Sequence, residues 1–266
     1  MLDTGAYWSV LRRDLAQAQG LKMGTTLYFD LYDLTGDKLK NMTTADVKLG
    51  ALGYGETEFA VGNPIEGSSM DKDGGLIGHN MLAKIDLEID NAGRTVTFFS
   101  QDHCKGAGVH WADEAVTLNF KKKPAHAPLG TKLKKVDKNQ IDMPIVAADM
   151  DGETVSILFD TGATYTSIDL AHAKRKCGIG TDTPGVVPFG KIYTANGNAV
   201  DAYKYTFKSL TISGIKFENV PVVLGDMNDE SKVLLGMNEL KKLRLFFAFK
   251  DGMIHITAAG AGRSPQ

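Results

Sequence analysis

Cysteine is scarce in this chain, with Cys104 and Cys177 the two present among 266 residues. Two thiols are too few for a disulfide framework, and they leave open only whether a single bridge joins the two parts of the sequence. Long apolar runs are missing as well. No stretch approaches the roughly 20 residues that cross a bilayer, so no membrane span is expected. The first residues lack the basic-then-apolar layout of a signal peptide. Neither sign of charge is in excess, since 30 Lys and Arg stand against 32 Asp and Glu for a net charge of -2. That balance gives no electrostatic footprint for nucleic acid. The local basic runs Lys121–Lys123 and Lys132–Lys135 read as solvated linker charge. His103, Cys104 and His110 stand close in sequence, but no second group at ligand spacing accompanies them. Neither a metal nor another cofactor is expected.

What the sequence does have is a repeat. Leu2-Asp3-Thr4-Gly5-Ala6-Tyr7 returns as Phe159-Asp160-Thr161-Gly162-Ala163-Thr164. Downstream, Leu76-Ile77-Gly78-His79-Asn80-Met81-Leu82 returns as Leu234-Leu235-Gly236-Met237-Asn238-Glu239-Leu240. Asp3 precedes Gly78 by 75 residues and Asp160 precedes Gly236 by 76. A lone Asp-Thr-Gly arises by chance in roughly one chain in fifteen of this length. Two copies with matched partners at matched spacing do not.

The intervening segments correspond too. Polar starters and closing glycines predict helices over Ser9–Gln19, before Gly20, and over Ser167–Lys176, before Gly178. Extended runs then turn at Thr35-Gly36 and at Asn196-Gly197, the second being the stronger hairpin signal. Val47–Gly50 and Phe207–Leu210 mark matching strands. Each copy closes on a hairpin, Ile85–Ile89 with Thr95–Phe99 in the first and Leu243–Phe249 with Met253–Thr257 in the second. The expected fold is mainly β with short helices, in two lobes over 1–119 and 139–258. The Lys- and Pro-containing segment 120–138 reads as a linker, and 259–266 as a disordered tail.

One Asp-Thr-Gly per copy points to a specific chemistry. Hydrolysing a peptide with water needs one group to take a proton from water and another to protonate the carbonyl oxygen. Two carboxyls about 3 Å apart do both, because they cannot both ionise easily. Asp3 and Asp160 are therefore the candidate catalytic pair, formed where the lobes meet. Gly5 and Gly162 permit a tight turn and let N–H groups approach the carboxylates. Thr4 and Thr161 carry hydroxyls suited to bonding across the interface, and small Ala6 and Ala163 let the chain pass closely.

These residues resemble those of retroviral-type and pepsin-type aspartic proteases, especially bacterial proteins with a retropepsin-like domain. The carriers are the paired Asp-Thr-Gly-Ala and the paired apolar-apolar-Gly segments Leu76-Ile77-Gly78 and Leu234-Leu235-Gly236, with His79 where Arg is common. The resemblance implies an acid-protease fold, a polypeptide substrate in a cleft between lobes, and hairpin flaps over it. Tyr32, Thr35 and Gly36, with Tyr193, Asn196 and Gly197, would belong to those flaps. It also implies a pseudo-dimer within one chain, hence a monomer, and for duplicated bacterial members a periplasmic or secreted placement. Asp3 stands so near the start that a strand and hairpin like Asp142–Phe159 are not seen ahead of it, so the first loop is expected to be less well anchored. Ala follows both glycines where pepsin-like enzymes often carry Ser or Thr. Without that hydroxyl, the pair should titrate higher and work best from mildly acidic to near-neutral pH.

Other residues read more plainly. His79 supports its loop through hydrogen bonds, Trp8 packs under the first loop, and Tyr32 and Tyr193 have strand packing as an alternative to substrate contact. The competing function is a non-catalytic peptide-binding module on the same fold, which would have no need of an acidic pair.

Overall fold

Alternating buried and exposed positions along extended runs give strands with one face to a core. In a computed structural model of the chain, such strands make up most of the described backbone. The structure describes residues 1–24, 29–32, 38–62, 73–101, 109–120, 132–133, 143–193, 199–227 and 232–262.

The first half runs β1 (Val10–Arg12), α1 (Arg13–Ala18), β2 (Phe29–Tyr32), β3 (Lys38–Leu39), β4 (Asn41–Leu49), β5 (Leu52–Gly62), β6 (Gly75–Leu76), α2 (His79–Leu82), β7 (Asp86–Asp90), β8 (Thr95–Phe99) and β9 (Val116–Asn119). A short β10 (Lys132–Leu133) follows and pairs with β2, so the segment expected as plain linker supplies a piece of strand. The second half runs β11 (Ile145–Met150), β12 (Glu153–Phe159), β13 (Ser167–Asp169), α3 (Leu170–Cys177), β14 (Val187–Tyr193), β15 (Ala199–Ile212), β16 (Ile215–Gly225), β17 (Val233–Leu235), α4 (Met237–Leu240), β18 (Leu243–Ala248) and β19 (Met253–Ala258).

The two halves use the same wiring around their Asp-Thr-Gly loops. β1 lies between β5, parallel to it, and β6, antiparallel. β13 lies in the same way between β16 and β17. This corrects one expectation. The sequence predicts helix throughout Ser9–Gln19 and Ser167–Lys176, but a three-residue strand comes first in each, Val10–Arg12 and Ser167–Asp169. Val10 and Ile168 are buried between neighbouring strands, and apolar burial of about 2 kcal/mol per side chain outweighs the weak helix preference of so short a piece. Helix begins only beyond them. In α3 the Asp169 carboxylate accepts from the N–H groups of Ala171 and His172 at 2.9 and 3.1 Å, and Gly178 closes the helix at φ 70°.

A five-stranded sheet joins the halves in the order β8-β7-β18-β19-β9. β7 and β9 come from the first half and flank the β18–β19 hairpin of the second. Its inner face feeds the main core, where Leu87, Ile89 and Leu118 meet Phe159, Phe207, Leu245 and Phe247. Its outer face is covered by Trp111 over Phe246 and Ala248. Ala259 continues past the last strand, donating to the Lys242 carbonyl at 2.8 Å, and residues 263–266 of the expected tail lie outside the described residues.

Candidate active site

Each aspartate sits where a strand end gives way to a tight turn. The Asp3 N–H donates to the Ile77 carbonyl and the Asp160 N–H to the Leu235 carbonyl, both at 3.0 Å. These bonds tie each loop to its apolar-apolar-Gly segment. The first loop is also held by the Ile77 N–H on the Met1 carbonyl at 2.9 Å and the Leu2–Ile77 bridge. Within the turns, Asp3 Oδ1 accepts from Gly5 and Ala6 at 2.9 and 2.8 Å. Asp160 Oδ1 accepts from Gly162 and Ala163 at 2.8 and 3.1 Å. Four N–H groups thus fix the two carboxyls in orientation.

The glycines are required by what faces them. A Cβ on Gly5 would overlap the Asp160 carboxyl, and one on Gly162 would overlap that of Asp3. Each loop therefore covers the other's aspartate. Gly78 and Gly236 serve a second close approach, with a Cβ at 2.7 Å from the Trp8 carbonyl carbon in one case and inside the Tyr165 backbone in the other.

Thr4 and Thr161 lock the loops together. Each N–H donates to the other's Oγ1 at 3.1 Å. The Thr4 hydroxyl donates to the Phe159 carbonyl at 2.7 Å, and the Thr161 hydroxyl to the Leu2 carbonyl at 2.9 Å. Every bond of this lock crosses from one half to the other.

A supporting layer escaped the sequence reading. Asn80 Oδ1 accepts from the N–H and hydroxyl of Ser9 at 2.8 and 2.7 Å. Asn238 Oδ1 accepts from the N–H and hydroxyl of Thr166 at 2.6 and 2.9 Å. The same hydroxyls accept from the Gly78 and Gly236 N–H groups at 2.9 and 3.2 Å. A signal was there: each Asn lies two residues after its glycine, and Ser9 and Thr166 each lie six after their aspartate.

Electrostatics follow from burial. Asp3 and Asp160 are 9% and 7% exposed. Burial pushes the Asp3 carboxyl well above its ordinary range; the Asp160 charge and the hydrogen bond that protonated Asp3 donates to it add to the rise, against the Gly5 and Ala6 N–H groups. Burial raises Asp160 too, opposed by the Gly162 N–H, the hydrogen bond with Asp3, the Ala163 N–H and the positive field of Lys232. Lys232 is buried just ahead of β17, and the matching place before β6 is Gly74. The pair therefore holds a proton above the usual carboxylate range, with a cation favouring ionisation on the Asp160 side. Such a pair can give and accept a proton at one spot.

The remaining candidates fall as follows. Tyr32 ends β2 opposite Lys38, and Tyr193 ends β14 opposite Ala199. Thr35, Gly36, Asn196 and Gly197 lie outside the described residues, as do His103 and Cys104. Cys177 carries a free thiol whose pKa burial raises. His110 bonds Glu88 at 2.6 Å, and no group of three metal-ligating side chains occurs among the described residues. Trp8 joins the small cluster of Val10, Ala60 and Leu76. No helix among the described residues is long and apolar enough to cross a membrane.

Residues 146–238 match the family model described as aspartyl protease, a span that holds Asp160, Thr166 and Asn238. No curated protein sequence matches the chain. Among solved structures, a retropepsin-like aspartic protease from Rickettsia conorii is similar at 24% identity and a TM-score of 0.33, over 42% of this chain and 87% of that one. The EIAV protease complexed with the inhibitor HBY-793 is similar at 19% identity and a TM-score of 0.31, over 40% of this chain and 92% of that one.

Proposed function

We propose that this chain is an aspartic endopeptidase whose two halves, 1–119 and 139–258, form a pseudo-dimer about the pair Asp3 and Asp160. The observation that carries the reading is the reciprocal burial of two carboxyls, each turned toward the other's glycine and each held by two N–H groups. A peptide-binding module gains nothing from this arrangement, because burying two acids together costs folding free energy that binding alone does not require.

In the catalytic cycle one carboxylate, Asp160 beside Lys232, accepts a proton from a water molecule as that water's oxygen bonds to the scissile carbonyl carbon. Protonated Asp3 gives its proton to the carbonyl oxygen, and the product is a neutral tetrahedral diol. Collapse reverses the roles. Asp160 returns its proton to the departing nitrogen, Asp3 recovers one from the diol, and the C–N bond breaks. No covalent intermediate with the protein is formed. The substrate is an extended polypeptide lying between the halves, with the hairpins at Tyr32 and Tyr193 above it.

The test is cleavage of a mixed peptide library from pH 3 to 8 by wild type, Asp160→Asn and pepstatin-treated enzyme. Cleavage confined to the untreated wild type is expected. Cleavage that survives in Asp160→Asn refutes the assignment.

A further inference from the structure

His79 breaks the symmetry around the two loops. Its counterpart in the second half is Met237, which has the same place after the glycine and donates the same backbone bond, to Ala163 as His79 does to Ala6. The His79 ring is fully buried. Nε2 lies 3.0 Å from the Thr4 carbonyl, so the neutral ring carries its proton there and donates it. Nδ1 is buried and has no hydrogen-bond partner among the described residues. The ring stands edge-on to Phe249 of the second half at 5.1 Å between centroids. Thr4 is the residue whose N–H and hydroxyl make the lock to Thr161 and Phe159, and a hold on its carbonyl fixes the Thr4–Gly5 peptide plane, whose N–H donates to Asp3 Oδ1.

We propose that His79 is a positioning residue for Asp3, holding the Thr4 carbonyl only while its ring is neutral, so that the enzyme is silenced in acid by two protonations instead of one. The inference rests on the proteolytic reading above. Protonation would place a charge and a second N–H donor at Nδ1, where the described residues offer no acceptor; the ring then leaves for solvent and gives up Thr4. Among the described residues, none of the elements packed on the ring turns a compensating charge to it. The Thr4 loop offers a carbonyl, Phe249 an apolar edge, and the loop's own acid, Asp3, faces Asp160. Burial accordingly pushes the ring's pKa down to about 4. That value lies on the acid side of the range in which the raised dyad works, where the ring's protonation adds to that of the pair.

The experiment is the pH profile of kcat/KM for wild type, His79→Gln and His79→Met, with near-UV circular dichroism on the same samples. Gln keeps an N–H near the Nε2 position but does not titrate; Met is what the second half uses and has no donor. For wild type, activity should fall tenfold per pH unit as the dyad takes a proton, then steepen toward a hundredfold per unit below about 4. His79→Gln should keep most of the activity at pH 6 and fall only tenfold per unit throughout. His79→Met should show the same shallow limb with a reduced plateau. A single-proton limb in wild type, or a two-proton limb that survives in His79→Gln, overturns the inference. Should no Asp160-dependent cleavage occur, the proteolytic reading fails by itself, and the dichroism still decides the hold on Thr4. An acid transition that moves down by about one pH unit in His79→Gln supports it, and one that does not move overturns it. Should neither variant fold, histidine NMR of wild type replaces them: a His79 ring titrating near its ordinary 6.5 while the loop signals stay unchanged overturns the inference.

Discussion

Arg244 reaches across the seam between the two halves to Glu88, its Nη2 2.6 Å and its Nε 3.0 Å from the same carboxylate oxygen. The guanidinium also lies 4.3 Å from the Trp111 ring centre and 3.3 Å from Asp90. Glu88 is 3% exposed, so its charge depends on these partners and on His110. Removing the cation strands a buried carboxylate, which typically costs about 3–5 kcal/mol. Arg244→Met should lower stability by that order in urea unfolding, and adding Glu88→Gln should recover part of the loss. Additive losses in the double variant would show that the two side chains do not act as a pair.

The lock between the loops predicts a difference between two conservative changes. Thr161→Ser retains the hydroxyl and should keep most activity. Thr161→Val removes the acceptor for the Thr4 N–H and the donor to Leu2, costing about 2–3 kcal/mol. It should lower kcat/KM at least tenfold. Equal activity in Ser and Val variants would mean that the hydroxyl is not used.

Gly162→Ala tests the close approach directly. The new methyl would have to displace the Asp3 carboxyl. The variant should lose activity by orders of magnitude while its far-UV dichroism stays that of wild type. Normal turnover would show that the two loops sit further apart.

Much of this geometry was legible in the sequence, and the reason is local. Asp-Thr-Gly-Ala, the doubled Gly78 and Gly236 segments and the closing hairpins are short patterns whose meaning lies within a few residues. Ser9–Asn80 and Thr166–Asn238 were not seen, because each bond joins residues about 70 apart whose types are common in any loop. The strands β1 and β13 read as helix in sequence because three residues cannot display a period; their neighbours β5, β6, β16 and β17 decide them. Trp111 could not be placed from sequence. Its partners, Arg244 and Thr257, lie more than 130 residues away. Lys232 occurs in one copy only, so the repeat could not point to it.

Asn238 predicts a stability change without direct chemistry. Asn238→Leu would leave the Thr166 N–H and hydroxyl and the Pro221 carbonyl without their partner. A loss of about 2–4 kcal/mol is expected. Asn238→Asp, which keeps the acceptor, should cost less than Leu. The reverse order would argue that packing, not hydrogen bonding, matters at this site.

Titration pulls stability in two directions. The dyad pKa values are raised on folding, so their contribution is full below the ordinary 3.8 and is lost as pH rises through the folded values. His79 is depressed from 6.5 to about 4. Its contribution is full above 6.5 and is lost as pH falls toward 4, a change of about 3 kcal/mol. Asp160→Asn should therefore gain stability over wild type at pH 7 and lose that gain near pH 3, whereas His79→Gln should compare best with wild type near pH 4. Chemical denaturation at the three pH values checks both signs.

The clasp of β18–β19 between β7 and β9 has a bearing on how the protein is made. A ribosome releases β7 and β9 long before the hairpin that belongs between them, and a sheet with so wide a gap in chain order forms late. Until residue 258 emerges, the surface of β7 that meets β18 and that of β9 that meets β19 wait without their neighbour. A growing chain thus carries Asp3 long before it gains the β18–β19 hairpin that completes the seam between the halves. The hairpin made last is thus the piece that closes the sheet, and the two Asp-Thr-Gly loops share that sheet's support only once it is in place.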